Sequence, residues 1–118
     1  MAGLHHVAFE TRTEQVDAEI AFWALLGFER VTPPPGLVDV AAWVERDGTQ
    51  IHLLFTDAPV VAPQGHAAVV VADYEATASQ LAAAGFEVEP RTRHWGAARA
   101  TVHSPGGHRV ELMAAPPG

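Results

Sequence analysis

The stretch Gly-Thr-Gln-Ile-His-Leu at residues 48–53 decides the fold, because the chain repeats it. It recurs as Gly-His-Arg-Val-Glu-Leu at residues 107–112, 59 positions further on. The triplet Gly-Phe-Glu at residues 27–29 likewise returns at residues 85–87, at almost the same offset. Matches that keep one offset indicate that the chain is built from two copies of a single unit.

A third landmark supports the duplication and helps to set its limits. His6 is followed by Val-Ala-Phe, and His66 by the similar Ala-Ala-Val. We therefore expect one domain of 118 residues made of two repeat units, about residues 3–56 and 64–114, joined by a linker at residues 57–63.

The same order of elements is predicted in each copy: one strand, one helix and then three strands. In the first copy, apolar alternation predicts strands at residues 4–10, 29–32, 38–45 and 50–56, around a helix at residues 14–26. In the second copy, strands are predicted at residues 66–71, 87–91, 99–103 and 109–113, with a helix at residues 74–84. This order predicts an α+β fold whose helices cover one sheet face, the first through Val16, Ile20 and Trp23.

Turn and cap residues separate these elements. Gly27 and Gly85 suit the left-handed position that follows a helix. Thr11 or Thr13 is expected to cap the first helix, and Asp73 the second. Asp-Gly at residues 47–48 predicts a tight hairpin turn between the third and fourth strands.

Four residues that can bind a metal share one predicted sheet face. Because strand side chains alternate, His6, His52, His66 and Glu111 all point away from the helix of their own copy. If the first and last strands of each copy pair, His6 lies beside His52, and His66 beside Glu111. Two such sheets facing each other would bring three imidazoles and one carboxylate around one cation. This donor set suits Zn²⁺, Ni²⁺, Fe²⁺, Mn²⁺ or Cu²⁺, whereas each histidine taken singly is better explained by a structural or solvated role.

Further polar and aromatic residues are candidates for lining the same cleft. Arg99 could hold an anionic substrate group or simply be a paired cation at the rim. His103, Trp43 and Trp95 could be cleft walls, with core or solvent positions as the alternatives. His5 neighbours His6 but should point to the opposite face, so the two are not expected to bind one metal.

The remaining histidines are not expected to bind a metal, and the composition argues against several kinds of site and function. His94 and His108 fall in or beside turns and are expected to be solvated. The absence of cysteine excludes disulfides and thiolate ligands. A net charge of −7 without a basic run disfavours nucleic-acid binding. With no signal peptide or membrane span in the sequence, we expect a cytoplasmic protein.

The motifs along the chain resemble the vicinal oxygen chelate superfamily almost from end to end. Leu-His-His-Val at residues 4–7 is similar to its opening strand, and Ala-Phe-Trp-Ala-Leu-Leu-Gly-Phe at residues 21–28 to the end of its first helix. Gly-His at residues 65–66 and Ser-Pro-Gly-Gly-His-Arg-Val-Glu-Leu at residues 104–112 resemble the start and the last hairpin of its second unit. This superfamily includes glyoxalase I, bleomycin-resistance proteins, fosfomycin-resistance thiol transferases, methylmalonyl-CoA epimerase and extradiol dioxygenases.

The resemblance implies both a site and an assembly. It places His6, His52, His66 and Glu111 at the four metal positions, although glyoxalase I usually carries Glu, and the epimerases Gln, where this chain has His52. It also implies incomplete barrels around a cleft, paired across a homodimer that shares its sites between chains.

The implied activity is that of a divalent-metal-dependent lyase or isomerase of the glyoxalase type. Its substrate would be a small molecule chelated through adjacent oxygens, and Glu111 or a metal-bound water would move the proton. The alternatives are an antibiotic-modifying thiol transferase, a dioxygenase, or a bleomycin-type drug-binding protein without catalysis.

Overall fold

The computed structural model describes residues 2–118 and contains eight strands and two α-helices in that range. The first half contains β1 (His6–Thr11), α1 (Val16–Leu25), β2 (Glu29–Val31), β3 (Ala41–Arg46) and β4 (Thr49–Phe55). The second half contains β5 (Ala67–Val70), α2 (Tyr74–Ala83), β6 (Glu89–Pro90), β7 (Arg99–His103) and β8 (Arg109–Met113). Neither helix in the described residues is long and apolar enough to cross a bilayer.

Each half forms its own open, four-stranded sheet with the same topology. The strand orders are β1-β4-β3-β2 and β5-β8-β7-β6. The pairs β1–β4 and β5–β8 are parallel, and all the other pairs are antiparallel. The predicted α+β fold with two βαβββ repeats is confirmed. The chain divides into two compact units, the first ending at Val61 and the second Ala62–Gly118.

The core of the first unit lies between α1 and the sheet. Phe22, Trp23 and Leu26 are almost fully buried, and Phe9 of β1 stacks on Trp23 with ring centroids 5.9 Å apart. The predicted contact through Val16 and Ile20 is less complete, since both are only half-buried. Glu19, one helical turn before Phe22 and Trp23, is buried where Val16 and Ile20 were expected to be.

The helix ends follow the sequence signals in all but one case. Gly27 and Gly85 adopt φ values of 90° and 94°, as the left-handed position requires. The side chain of Asp73 accepts a hydrogen bond from the Ala76 N–H at 3.1 Å, so it caps α2 as predicted. The cap expected from Thr11 or Thr13 is wrong, because a 3₁₀ turn over Thr13–Gln15 precedes α1 and no side chain caps either.

The hairpin between β3 and β4 fixes the register that matters for the site. Asp47 and Gly48 both have positive φ, 51° and 84°, as a two-residue hairpin of this hand requires. This turn sets Glu45 opposite Gln50 and Trp43 opposite His52. Strand β3 starts three residues later than predicted, because residues 37–40 form turns in which the Leu37 and Val40 N–H groups bond back to earlier carbonyls.

Candidate metal centre

In the first unit, parallel pairing of β1 with the inner strand β4 brings two histidines together. His6 lies opposite Gln50 and Ala8 opposite His52, so both histidines project from the face that is not covered by α1. Their rings stack with centroids 3.9 Å apart and an interplanar angle of 12°. The prediction that His6 lies beside His52 is confirmed.

The ring of His52 is held on both faces and at one nitrogen. Trp43 stacks on the side opposite His6, with centroids 4.0 Å apart and planes 2° from parallel. His52 Nε2 is 2.7 Å from Gln50 Oε1, and the ring is only 6% exposed. Burial, and then the charges of His6 and His5, lower the pKa of His52 from 6.5 to about 4. His52 is therefore a neutral, immobilised imidazole at pH 7.

The expectation that His5 points away from His6 is wrong. His5 Nδ1 lies 2.9 Å from His6 Nδ1, and nitrogens of His5, His6 and His52 all lie within 4.8 Å of one another. Alternation failed here because β1 begins at His6, so His5 stands before the strand and is not bound by its pleat. The adjacent pair of histidines was the only signal in the sequence.

In the second unit, the corresponding strands place a histidine against a carboxylate. His66 directly precedes β5, and Glu111 lies opposite Ala68 on the neighbouring strand β8. His66 Nε2 is 3.4 Å from Glu111 Oε1, as the prediction of adjacent positions requires. The Nδ1–H of His66 donates to the backbone carbonyl of Gln64 at 2.8 Å. When neutral, this imidazole therefore directs the lone pair of Nε2 toward Glu111.

Arg99 supports Glu111 and does not point freely into solution. Its Nη1 donates to Glu111 Oε2 at 3.3 Å, and its Nε donates to the Thr92 carbonyl at 2.7 Å. The guanidinium also lies 5.7 Å from the ring of Trp95, whose indole N–H donates to the Ala115 carbonyl. Of the two alternatives, the structure shows the paired cation.

A cavity of about 370 Å³ adjoins α2 and the segment after β6. Arg91, Arg93 and Arg99 contribute to its wall, together with Tyr74 and Glu75 of the helix. Burial, followed by the nearby Glu75 carboxylate, raises the pKa of Tyr74, so its hydroxyl stays protonated at neutral pH. Arg91 and Arg99 are paired with Glu89 and Glu111, so this wall carries little net charge.

The other histidines occupy unlike environments. His103 is exposed at the end of β7, and His94 is exposed in the loop before it. The expectation that His108 is solvated is wrong, since it is only 3% exposed. Its backbone N–H and carbonyl bond to Ser104, closing the turn before β8 and drawing the side chain inward.

Comparison with known proteins agrees with this fold. The profile of a family described as "Glyoxalase-like domain" matches residues 6–113, nearly the whole chain. The sequence matches no curated protein at a significant level.

Solved structures with the same fold include proteins of several activities. A protein from Bacillus anthracis assigned to the glyoxalase family superposes with a TM-score of 0.84 at 23% identity, covering 96% of this chain and 94% of that one. Lactoylglutathione lyase from Agrobacterium tumefaciens gives 0.72 at 19% identity, covering 96% and 93%. The fosfomycin resistance protein FosX from Listeria monocytogenes gives 0.75 at 16% identity, covering 98% and 95%.

Proposed function

Since this chain belongs to the glyoxalase-like domain family of the vicinal oxygen chelate superfamily, we propose that it is a divalent-metal-dependent enzyme of the glyoxalase type. Its metal ligands are His6 and His52 from the first unit and His66 and Glu111 from the second. Its substrate is a small molecule that presents two adjacent oxygens. The observation that carries this proposal is the arrangement of His66 and Glu111.

The second-unit pair fits a metal in both chemistry and distance. Two ligands ~2.0–2.2 Å from one zinc ion at a tetrahedral angle lie roughly 3.3–3.6 Å apart, and His66 Nε2 and Glu111 Oε1 are 3.4 Å apart. A lone pair facing a carboxylate at that distance repels it unless a proton or a cation lies between them. The bonds from His66 to the Gln64 carbonyl and from Arg99 to Glu111 are outer contacts of the kind that orient metal ligands.

The first-unit pair, His6 and His52, has suitable donor atoms, but its rings are not oriented to bind one metal. The planes of His6 and His52 are 12° apart, so lone pairs that lie in those planes do not converge. His52 is fixed by Trp43 and Gln50, whereas His6 is exposed and can rotate. Binding would therefore reorient His6 and leave His52 where it is.

The chain's own residues suit proton transfer beside such a cation. When bound, the metal acts as a Lewis acid that polarises the substrate oxygens and stabilises developing negative charge. Because Glu111 Oε2 accepts from Arg99 and Oε1 is the proposed metal-binding oxygen, Glu111 would take a substrate proton only when Oε1 leaves the cation.

The test starts from purified protein whose metal content is measured by elemental analysis. The metal is then removed with a chelator and Zn²⁺, Ni²⁺, Fe²⁺, Mn²⁺ or Cu²⁺ is returned separately. Activity is followed as exchange of the α-proton of S-lactoylglutathione, the compound in the name of the Agrobacterium enzyme, with deuterated water. We expect metal-dependent exchange that H66A abolishes. A protein that takes up none of these metals, and whose melting temperature H66A leaves unchanged, would contradict the proposal.

A second candidate uses the same ligands on an antibiotic. The likeness to FosX favours assaying fosfomycin with the metal-loaded protein, with and without a thiol. Catechols with Fe²⁺ test the dioxygenase alternative, and tight binding of bleomycin by metal-free protein tests the drug-binding one. Light scattering of the same preparation tests the homodimer that we also propose.

A further inference from the structure

Three polar side chains form a hydrogen-bonded series across β3 and β4. The amide Nε2–H of Gln50 donates to Glu45 Oε1 at 2.8 Å. The other end of that amide, Gln50 Oε1, lies 2.7 Å from His52 Nε2. The hairpin register places Glu45 directly opposite Gln50, and His52 stands two residues further along the same face.

The direction of this series follows from the chemistry of its first member. An ionised carboxylate only accepts hydrogen bonds, so Glu45 can bind only the NH₂ end of the Gln50 amide. That orientation turns the amide oxygen toward His52, and an oxygen must receive a hydrogen from its neighbour. His52 therefore carries its hydrogen on Nε2, and its lone pair is on Nδ1.

We propose that Glu45 is a positioning residue that acts through Gln50 to fix the tautomer of His52 and so selects Nδ1 as its metal-binding atom. The consequence for metal binding rests on the proposed function, whereas the tautomer of His52 is a property of the metal-free protein. Gln50 and His52 are 8% and 6% exposed, so water does not readily replace either partner.

A neutral amide at position 45 would keep the hydrogen bond to Gln50 but would no longer fix which end of the Gln50 amide faces position 45. It could offer either its oxygen or its NH₂ to Gln50, so the Gln50 amide could turn over. The NH₂ group of Gln50 would then face His52, whose Nε2 would accept, and the ring hydrogen would move to Nδ1. Glu45→Gln is therefore the informative variant, because it keeps the size of the side chain and changes only its acceptor character.

The strand β2 offers a matched control. Glu29 lies opposite Glu45 on the neighbouring strand and projects from the same sheet face, but it is exposed. Glu29→Gln removes the same charge from the same face without touching the Gln50 amide.

The experiment is long-range ¹⁵N–¹H NMR of the histidine rings in metal-free protein at pH 7.5. The His52 signals are assigned by their loss in His52→Gln. We expect the Nε2–H tautomer in the wild type and in E29Q, and a mixture with at least ~20% of the Nδ1–H tautomer in E45Q, because the amide introduced at position 45 can bond to either orientation of the Gln50 amide. Nδ1–H in the wild type, or an E45Q spectrum equal to that of E29Q, overturns the proposal.

Zinc affinity, measured by competition with a chromophoric chelator, adds the functional readout. We expect Kd to rise more in E45Q than in E29Q but by less than the ~10-fold expected for loss of His52 itself, because only the fraction of rings with a free Nδ1 can bind the metal. Equal affinities in the two variants would refute the role in metal binding. If the wild type binds neither zinc nor any of the other four metals, the proposed function fails, and the NMR spectra still decide whether Glu45 sets the tautomer.

Discussion

In the second unit, His66 turns one ring nitrogen toward a backbone carbonyl and the other toward Glu111, whereas in the first unit His6 lies flat against His52. Both arrangements arise from the same pairing of a first strand with a last strand. The second pair already has a ligand-like separation, and the first has parallel rings. The comparison shows that a repeated topology fixes which side chains are neighbours, while their outer contacts decide how each ring is turned.

The largest expected difference between the units is in metal affinity. Structural zinc sites with four ligands contribute ~10–16 kcal/mol, or roughly 2.5–4 kcal/mol per ligand. We expect E111A to raise the zinc Kd by at least ~100-fold, because it removes half of the pre-arranged pair. H52Q should raise the zinc Kd by only ~10-fold, because separating the stacked ring of His6 from His52 offsets part of the free energy gained when His52 binds the metal. Equal losses, measured by chelator competition, would show that the two pairs are equally prepared.

A second difference concerns stability below neutral pH in the metal-free protein. The pKa of His52 is about 4 in the folded chain against 6.5 ordinarily, so the unfolded chain binds more protons between these values. The contribution is complete above pH ~6.5 and is lost as the pH falls toward 4, by on the order of 2 kcal/mol. Urea unfolding between pH 7 and pH 4.5 should show this loss. H52Q serves as the comparison, and an identical slope in that variant would contradict the assignment.

The contact of Arg99 with Glu111 should have a measurable effect on zinc affinity, smaller than that of removing Glu111 itself. R99M removes the cation that holds Glu111 Oε2, and we expect zinc affinity to fall by about tenfold. The matched variant is R91M, which breaks an ion pair with Glu89 whose partners are 41% and 57% exposed. Exposed pairs contribute little, so R91M should leave affinity within ~2-fold. If both variants behave alike, the effect of Arg99 is only one of general charge.

The smallest effect distinguishes the two helices. D73A removes the one side-chain cap that the structure shows at these helix ends, and should destabilise the protein by about 1 kcal/mol. T13A alters a residue whose side chain caps nothing and should change stability by less than ~0.5 kcal/mol. Thermal unfolding in one buffer compares them, and a loss in T13A as large as that in D73A would be inconsistent with the capping assignment.

The order of elements and the two pairs, His6 with His52 and His66 with Glu111, could be predicted from the sequence, because strand alternation and the repeat specify them. His5 could not be placed, since alternation stops where β1 begins. The inward position of His108 depends on the closure of a turn by Ser104, which no periodicity reveals. The partners of Gln50 and Arg99 were also missed, because hydrogen bonds between side chains depend on rotamers as well as on register.

The two-residue hairpin at Asp47 and Gly48 also limits how this protein can evolve. One residue inserted there and absorbed by β4 would move His52 to the helix side of the sheet, so natural length variation at this turn should be rare. The segment at residues 32–40 has three consecutive prolines and is exposed except at Pro33, so a change of length there would leave the strand register intact. Relatives that have diverged to new substrates are therefore expected to differ in loop length there and to keep the hairpin unchanged.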